Sequence, residues 1–296
     1  MDSEKTEETL FAQFQNRSKS EWLDKVIKDL KGKELSSLHW HFDAFRDYSP
    51  FFHKEDLSGS PAARPIKRED NNWRIEELIY LEDAVEANAT AMEALKNGVE
   101  RLVFDCQFLP NEDEIQKLLK DIYLDFIDLL FKCKAEHATQ ILTNAASFIR
   151  SKEWDTTKIS WGIELEMSEV DKSLIENLSK YKSEFPHFFI SLNFSKEPHE
   201  NILESVRLVL KTSKRVSDLA WPVGQTEYKL GVGESYYENI ICLRVLRNLL
   251  PEDARLSGTC LTQKYTDPES NKIKICAQAI AMVTGGVDAM RLPPSD

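Results

Sequence analysis

The 296-residue sequence contains no apolar run that approaches the about 18 residues needed to cross a bilayer. Its first residues, MDSEKTEETLF, are acidic and polar, unlike a signal or transit peptide. Basic residues are also in deficit, since 38 Lys and Arg face 50 Asp and Glu and the net charge is -12. Such a chain is repelled by phosphate backbones and anionic lipid. We therefore predict a cytoplasmic protein that binds neither nucleic acid nor membrane.

Closely spaced cysteines are absent as well. The five cysteines are scattered through apolar segments, and no two form the CxxC clip that is typical of metal sites. We interpret them as reduced core residues, and we predict no metal bound by this chain. They are Cys106, Cys133, Cys242, Cys260 and Cys276.

What is present is an alternation of short apolar strands with amphipathic helices, typical of βαβ units and a parallel sheet. The predicted strands are 74–80, 100–106, 122–130, 159–164, 188–193, 228–232, 256–261 and 287–292. Helical spacing between them predicts a helix after each of the first seven strands. Eight strands close a (β/α)₈ barrel. An open doubly wound sheet is the alternative, but it normally has a glycine-rich loop after its first strand. Here LEDAVEAN follows Tyr80, without glycine, so we predict an α/β fold of the TIM-barrel type.

The segment before the barrel, residues 1–70, is predicted to be a helical and extended arm followed by a linker. The stretch SKSEWLDKVIKDLKGK has a serine cap, one apolar helical face and a closing glycine. HWHFDAFRDYSPFF is dense in aromatic residues and is predicted to be extended. These rings either cover the barrel's own surface or form a subunit contact. Residues 71–296 are predicted to form the barrel, without the helix expected after strand eight.

Several segments resemble a known family, the methylmalonyl-CoA mutases. LFAQFQNRSKSEWLDKVIKDLKGKELSSLHWHFDAFRDYSPFFHKEDL is similar to the family's N-terminal segment. NNWRIEELIYLEDAVEANATAMEALKNGVERLVF is similar to its first barrel strand and helix. GVGESYYENIICLRVLRNLL and KYTDPESNKIKICAQAIAMVTGGVDAMRLPPSD are similar to its late barrel. The resemblance covers residues 10–108 and 225–296, and it is strongest to the small, non-catalytic subunit of the heterodimeric bacterial enzyme.

The resemblance implies a barrel that accompanies an adenosylcobalamin-dependent isomerase, the enzyme that interconverts methylmalonyl-CoA and succinyl-CoA. Cobalamin-binding domains of the family have a D-x-H-x-x-G motif, which this sequence lacks. Catalytic chains have a tyrosine in a W-T-I-R-Q-Y strand, and here Leu78 occupies its place. They also have a Tyr-His pair after the fifth strand, where this chain has Phe194-Ser195. We therefore expect no catalytic residue, no cofactor and no cobalamin-binding domain in this chain, with adenosylcobalamin on a partner subunit.

Barrel enzymes hold functional residues at the carboxyl ends of their strands. That rule makes six residues candidates for binding a substrate at the barrel mouth: Asp105, Gln107, Glu164, Asn193, Gln263 and Arg291.

Two hypotheses follow. The first is a supporting subunit that pairs with a catalytic mutase subunit as a heterodimer, or that self-associates through its arm. The second is an independent barrel enzyme or binding protein for a CoA ester or another acidic metabolite. The barrel axis separates them, because an active mutase barrel needs a channel for the pantetheine arm whereas other barrels are filled. Six bulky strand residues could fill the axis if they point inward: Val103, Leu124, Ile163, Ile190, Tyr228 and Leu230.

Overall fold

A computed structural model describes residues 15, 17–41, 47–57, 73–195, 202–261 and 267–294, with the backbone alone at His41. The chain divides into two compact units, residues 1–63 and 64–296. Among the described helices there is none whose length and apolarity would let it span a bilayer.

The first unit begins with helix α1, Lys19–Asp29. Ser18 caps it in a capping box with Glu21, as the sequence pattern indicates. Strands β1 (Trp40–His41) and β2 (Asp47–Tyr48) pair antiparallel, and short 3₁₀ turns lie at Leu35–Leu38 and Lys54–Leu57. The ring of Trp22 stacks on Phe51 at 4.3 Å between centroids, and Lys19 pairs with Asp56. The aromatic stretch is thus partly a hairpin, and it folds back on α1.

The second unit is a closed barrel of eight parallel strands, and the predicted (β/α)₈ class is confirmed. The strands are β3 (Arg74–Leu81), β4 (Arg101–Cys106), β5 (Asp128–Lys132), β6 (Trp161–Glu166), β7 (Phe188–Asn193), β8 (Thr226–Val232), β9 (Arg255–Cys260) and β10 (Ala289–Arg291). Their order around the barrel is β10-β3-β4-β5-β6-β7-β8-β9.

In the described part of the barrel, seven helices alternate with these strands, and four of them begin at an Asp or Asn whose side chain accepts first-turn N–H groups. The last helix, Pro268–Gly285, is capped by Gly286, which has the left-handed φ of 87° that the predicted tight turn into the last strand requires. The helices are α2 (Ala84–Lys96), α3 (Glu112–Leu118), α4 (Ala135–Ser151), α5 (Lys172–Glu184), α6 (Ile202–Asp218), α7 (Tyr236–Leu249) and α8 (Pro268–Gly285).

The third barrel strand departs from the sequence prediction. It was expected at 122–130, but β5 comprises Asp128–Lys132. Asp121 adopts a left-handed φ of 59°, and the chain turns there. Ile122 and Leu124 are buried beneath the turn, whereas Tyr123 and Phe126 are exposed. The apolar run therefore combines a packed turn with a short strand, and periodicity alone does not separate the two.

The main apolar core lies between the strands and the helices. Trp161 of β6 illustrates its packing, because its ring makes edge-to-face contacts with Tyr181 of α5 and with Phe185 and Phe188. Residues of the opposite strand parity face the barrel interior.

Candidate functional site

The barrel interior is lined largely by charged and polar side chains. Hydrogen bonds that cross the barrel identify these inward residues, since outward side chains cannot reach a strand that is not their neighbour. Lys229 on β8 reaches β3 and β6, and Arg101 on β4 reaches β8. Both residues are 2% exposed or less. The inside of this barrel is therefore a buried polar region.

Of the six bulky residues that the sequence nominates for filling the barrel axis, only one faces the interior. Val103 faces the interior, where it packs with Leu130 and Phe189 and with the half-buried Leu78. The other five belong to the core between strands and helices: Leu124, Ile163, Ile190, Tyr228 and Leu230. Branched apolar residues thus fill only a small part of the axis.

The interior holds two carboxylates, Glu76 and Glu164, and two cations, Lys229 and Arg291. Each carboxylate binds both cations. Lys229 Nζ lies 2.7 and 2.8 Å from the carboxylate oxygens of Glu76 and 2.6 Å from Glu164 Oε2. Arg291 donates to the same two residues, from Nε to Glu76 at 2.5 Å and from a terminal nitrogen to Glu164 at 2.7 Å. Each carboxylate therefore receives hydrogen bonds from both cations, which is the arrangement that compensates buried charge.

A second group of ion pairs adjoins the first. Arg101 donates to Glu227 at 2.6 Å and to Asp128 at 2.9 and 3.1 Å. It also lies 3.6 Å from Glu76, which joins the two groups. Ser191 donates to the other oxygen of Glu227 at 2.8 Å.

One more cation completes the set. The guanidinium of Arg255 lies 4.3 Å from the ring centroid of Phe189, a cation–π contact. We call these eight residues the ionic core; its four carboxylates and four cations balance in charge. They are Glu76, Asp128, Glu164 and Glu227 with Arg101, Lys229, Arg255 and Arg291.

Several residues of the ionic core are held in their charged form. Burial alone would raise the pKa of Glu164, but the charges and hydrogen bonds of Arg291 and Lys229 hold it well below its usual range. Burial is outweighed in the same way at Glu227 and Asp128, whose pKa values are lowered chiefly by Arg101. Burial would lower the pKa of Arg101, but its carboxylate partners raise it above its ordinary value. These groups are therefore ion pairs at neutral pH.

A cavity of about 290 Å³ lies at the carboxyl ends of β4, β5, β6 and β7. We call it the mouth cavity. Asp105 accepts hydrogen bonds of 2.7 Å from both Gln107 and Lys132. Asn193 donates to Glu164 at 2.9 Å and accepts the backbone N–H of Ser195. The remaining lining residues are Cys106, Cys133, Lys134, His137, Leu165, Glu166 and Glu169.

The two cysteines of the mouth cavity are not activated. Burial raises the pKa of Cys133 to about 12 and raises that of Cys106 well above its ordinary value. Both are thus neutral thiols at physiological pH, and a neutral thiol is a poor nucleophile. Within the described ranges, no three His, Cys, Asp or Glu side chains are arranged to hold a metal ion. Binding of a small polar molecule fits this cavity better than covalent catalysis.

The structure brings together four of the six residues that the sequence nominates for the mouth. Asp105, Gln107, Glu164 and Asn193 all line the mouth cavity. Arg291 belongs to the ionic core, where it binds the Glu164 carboxylate that forms part of the cavity wall. Gln263 lies outside the described residues. Their role in binding a substrate stays a prediction.

Sequence reasoning missed most of the ionic core. Glu76, Arg101, Glu227 and Lys229 sit inside strands that also contain strongly apolar residues. The signal that was available is a charged residue at alternate positions of these strands. Both faces of a parallel barrel strand are covered, so a charged residue within it is buried.

A second cavity of about 300 Å³ lies beside the first turns of α7 and α8. Ile273 and Ala277 give it an apolar wall, and Lys274 pairs there with Glu234. None of the six nominated residues lines it.

Comparison with known proteins finds a relative by sequence. The methylmalonyl-CoA mutase small subunit of Porphyromonas gingivalis is 31% identical over 166 residues. The match covers 52% of this chain, and the chain spans only 27% of the length of that protein. No protein-family model matches the chain.

Solved structures with the same fold include dihydropteroate synthases. The Yersinia pestis protein has a TM-score of 0.54 at 13% identity, covering 74% of this chain and 86% of its own. The Xanthomonas albilineans protein, in complex with 7,8-dihydropteroate, has a TM-score of 0.54 at 14% identity, covering 74% and 87%. At such identities the likeness concerns the barrel fold alone. The similarity to the Porphyromonas gingivalis small subunit, by contrast, is one of sequence. It confirms the resemblance of this chain to the methylmalonyl-CoA mutase family over about half of the chain's length.

Proposed function

We propose that this chain is a non-catalytic barrel subunit that supports a catalytic, adenosylcobalamin-dependent isomerase subunit of the methylmalonyl-CoA mutase type. The similarity to a mutase small subunit supports the family. The observation that carries the non-catalytic role is the ionic core, because it occupies the axis where an active barrel of this family would hold the pantetheine arm of its substrate.

Breaking the ion pairs of the ionic core costs much free energy. Lys229, Glu76 and Glu164 are 1% exposed or less, and each is hydrogen-bonded to partners from other strands. Removing one partner of a buried ion pair costs about 3–5 kcal/mol, because the remaining charge is left uncompensated. A thioester chain would have to displace several such pairs at once, so the axis of this barrel excludes it.

The position of the family's tyrosine supports the same conclusion. Leu78 has no hydrogen-bond donor in its side chain, and it packs against the interior cluster of Val103, Leu130 and Phe189. The sequence also has no D-x-H-x-x-G motif, so its residues do not fit a cobalt-ligating histidine. Adenosylcobalamin would accordingly be bound by the partner subunit.

The arm is the surface that we assign to the partner. Trp40 is 44% exposed and Phe52 is 64% exposed, so both rings offer apolar surface that a partner can cover. Trp22 is already occupied by its stacking on Phe51. Self-association through the same arm is the alternative use of these rings.

Purification of the tagged full chain from its native cell tests the proposal. We expect a stoichiometric partner whose mass identifies it as an adenosylcobalamin-dependent isomerase chain, and isomerase activity in the complex only. Recovery of a homodimer without an isomerase would contradict the heterodimer. Turnover of methylmalonyl-CoA by the purified chain alone would contradict the non-catalytic role.

The second candidate function, binding of a CoA ester or another acidic metabolite, is favoured by Lys134, which lines the mouth cavity. Titration calorimetry of the full chain with succinyl-CoA tests it. Saturable heat would support this function, and its absence would leave the supporting role.

A further inference from the structure

Two side chains in the mouth cavity differ from the other charged groups around them. Lys134 follows β5 at the start of α4, and Glu169 ends the 3₁₀ turn Met167–Glu169 after β6. Both line the cavity. In the part of the chain that the structure describes, the side chains of Lys134 and Glu169 form no hydrogen bond and no ion pair. An ammonium group and a carboxylate, at the ends of neighbouring strands, thus line the same cavity. Neither is paired with another described residue.

The neighbouring charges are already compensated. Lys132 pairs with Asp105 at 2.7 Å. Glu164 is neutralised by Lys229 at 2.6 Å and by Arg291 at 2.7 Å. A ligand therefore gains little from these groups, and the free cation and free anion decide which charges the cavity prefers.

Size restricts the ligand further. The cavity holds about 290 Å³. Since one water takes about 30 Å³ of liquid volume, there is room for roughly ten non-hydrogen atoms. The closed axis below allows no extension through the barrel. A CoA ester is larger than this space and would enter it only with its acyl end, whereas an amino acid fits it whole.

We propose that the mouth cavity binds a small zwitterion, a molecule with one carboxylate and one ammonium group such as an amino acid. The carboxylate pairs with Lys134 and the ammonium with Glu169. A simple carboxylic acid leaves Glu169 facing no cation, and a simple amine leaves Lys134 unpaired. Each therefore makes one of the two charge-assisted hydrogen bonds. This site is independent of the partner subunit proposed above.

Titration calorimetry of the full chain at low salt tests this site. The probes are glycine, β-alanine, 4-aminobutanoate and 6-aminohexanoate, with alkanoates and alkylamines of matched length. We expect one amino acid to bind with a Kd of about 1 mM or tighter, and its matched acid and amine to bind at least about tenfold more weakly. An alkanoate that binds as tightly as the amino acid would overturn the proposal in favour of an acidic ligand. Absence of saturable binding by every amino acid would overturn it outright.

Variants locate the binding. Lys134→Met and Glu169→Gln should each weaken amino-acid binding by at least about tenfold. In Lys134→Met the amino acid should lose its advantage over the matched amine. The double variant Lys134→Glu with Glu169→Lys keeps both charges and should restore binding in the reversed orientation. Lys211→Met and Glu93→Gln, exposed and outside the cavity, are the matched controls. Undiminished binding in both single variants would overturn the assignment.

Discussion

Lys229 and Glu76 meet inside the barrel with 2.7 Å between Nζ and Oε1, although 153 positions separate them in the chain. Strand β8 supplies the lysine and β3 the glutamate, and these strands are not neighbours in the sheet. The pair forms only when the barrel closes. Closure of the barrel and compensation of its buried charge are therefore the same event in this protein.

Removing Lys229 should be strongly destabilising. Lys229→Met leaves Glu76 and Glu164 without one of their cations, although Arg291 continues to bind both. We expect a loss of about 3–5 kcal/mol in the free energy of unfolding, measured by urea denaturation at pH 7. The exposed Lys211→Met should change it by no more than about 0.5 kcal/mol. A loss below about 1 kcal/mol for Lys229→Met would mean that the ionic core contributes little to the fold.

Stability should fall in acid through the carboxylates of the ionic core. The pKa values of Glu164, Glu227 and Asp128 are lowered in the folded state. Lowered folded values mean that their stabilisation is complete above the unfolded pKa values, about 4.3 for Glu and 3.9 for Asp, and is lost as the pH falls below them. We expect little change from these groups between pH 7 and 5, and a steep loss from about pH 4 downward.

Urea denaturation at stepped pH values measures this dependence. Glu227→Gln removes one of the protonating groups, so its curve should fall less steeply below about pH 4, by up to about 1.4 kcal/mol per pH unit. The exposed Glu93→Gln should keep the wild-type slope. Parallel curves for Glu227→Gln and wild type would show that Glu227 is not paired as the structure describes.

The sequence predicts the barrel well because strand and helix periodicities are local signals. It fails at β5, where the turn at Asp121 interrupts an apolar run. It also nominates Glu164 and Arg291 only as mouth residues, since parity along a strand cannot be read from sequence when both faces are covered. Contacts such as Arg101 with Glu227, 126 positions apart, depend on the closed barrel. By contrast, the rule that functional residues lie at the carboxyl ends of barrel strands nominates Asp105 and Asn193, and both line the mouth cavity.

The isolated chain should neither bind adenosylcobalamin nor isomerise methylmalonyl-CoA. The sequence lacks the cobalt-ligating motif, and Leu78 stands at the tyrosine position. We expect no saturable heat with adenosylcobalamin in calorimetry and no turnover above a blank that contains the cofactor alone. Leu78→Tyr should not create activity, because the ionic core still occupies the axis. Micromolar binding with one cofactor per chain, or turnover that a mouth substitution abolishes, would refute the supporting role.

Deletion of residues 1–56 should separate folding from association. Residues 64–296 form a compact unit with its own closed barrel, so the truncated chain should remain folded, with the far-ultraviolet circular dichroism of a (β/α)₈ barrel. Burying an aromatic ring removes about 150–250 Å² from water at about 25 cal/mol per Å². Loss of exposed rings such as Trp40 and Phe52 should therefore abolish pairing with the catalytic subunit in size-exclusion chromatography.

The matched point variants Trp40→Ser and Phe52→Ser in the full chain should weaken pairing while leaving the barrel intact. An unfolded truncated chain would mean that the arm belongs to the barrel's own core, and a folded one that still pairs normally would place the interface elsewhere.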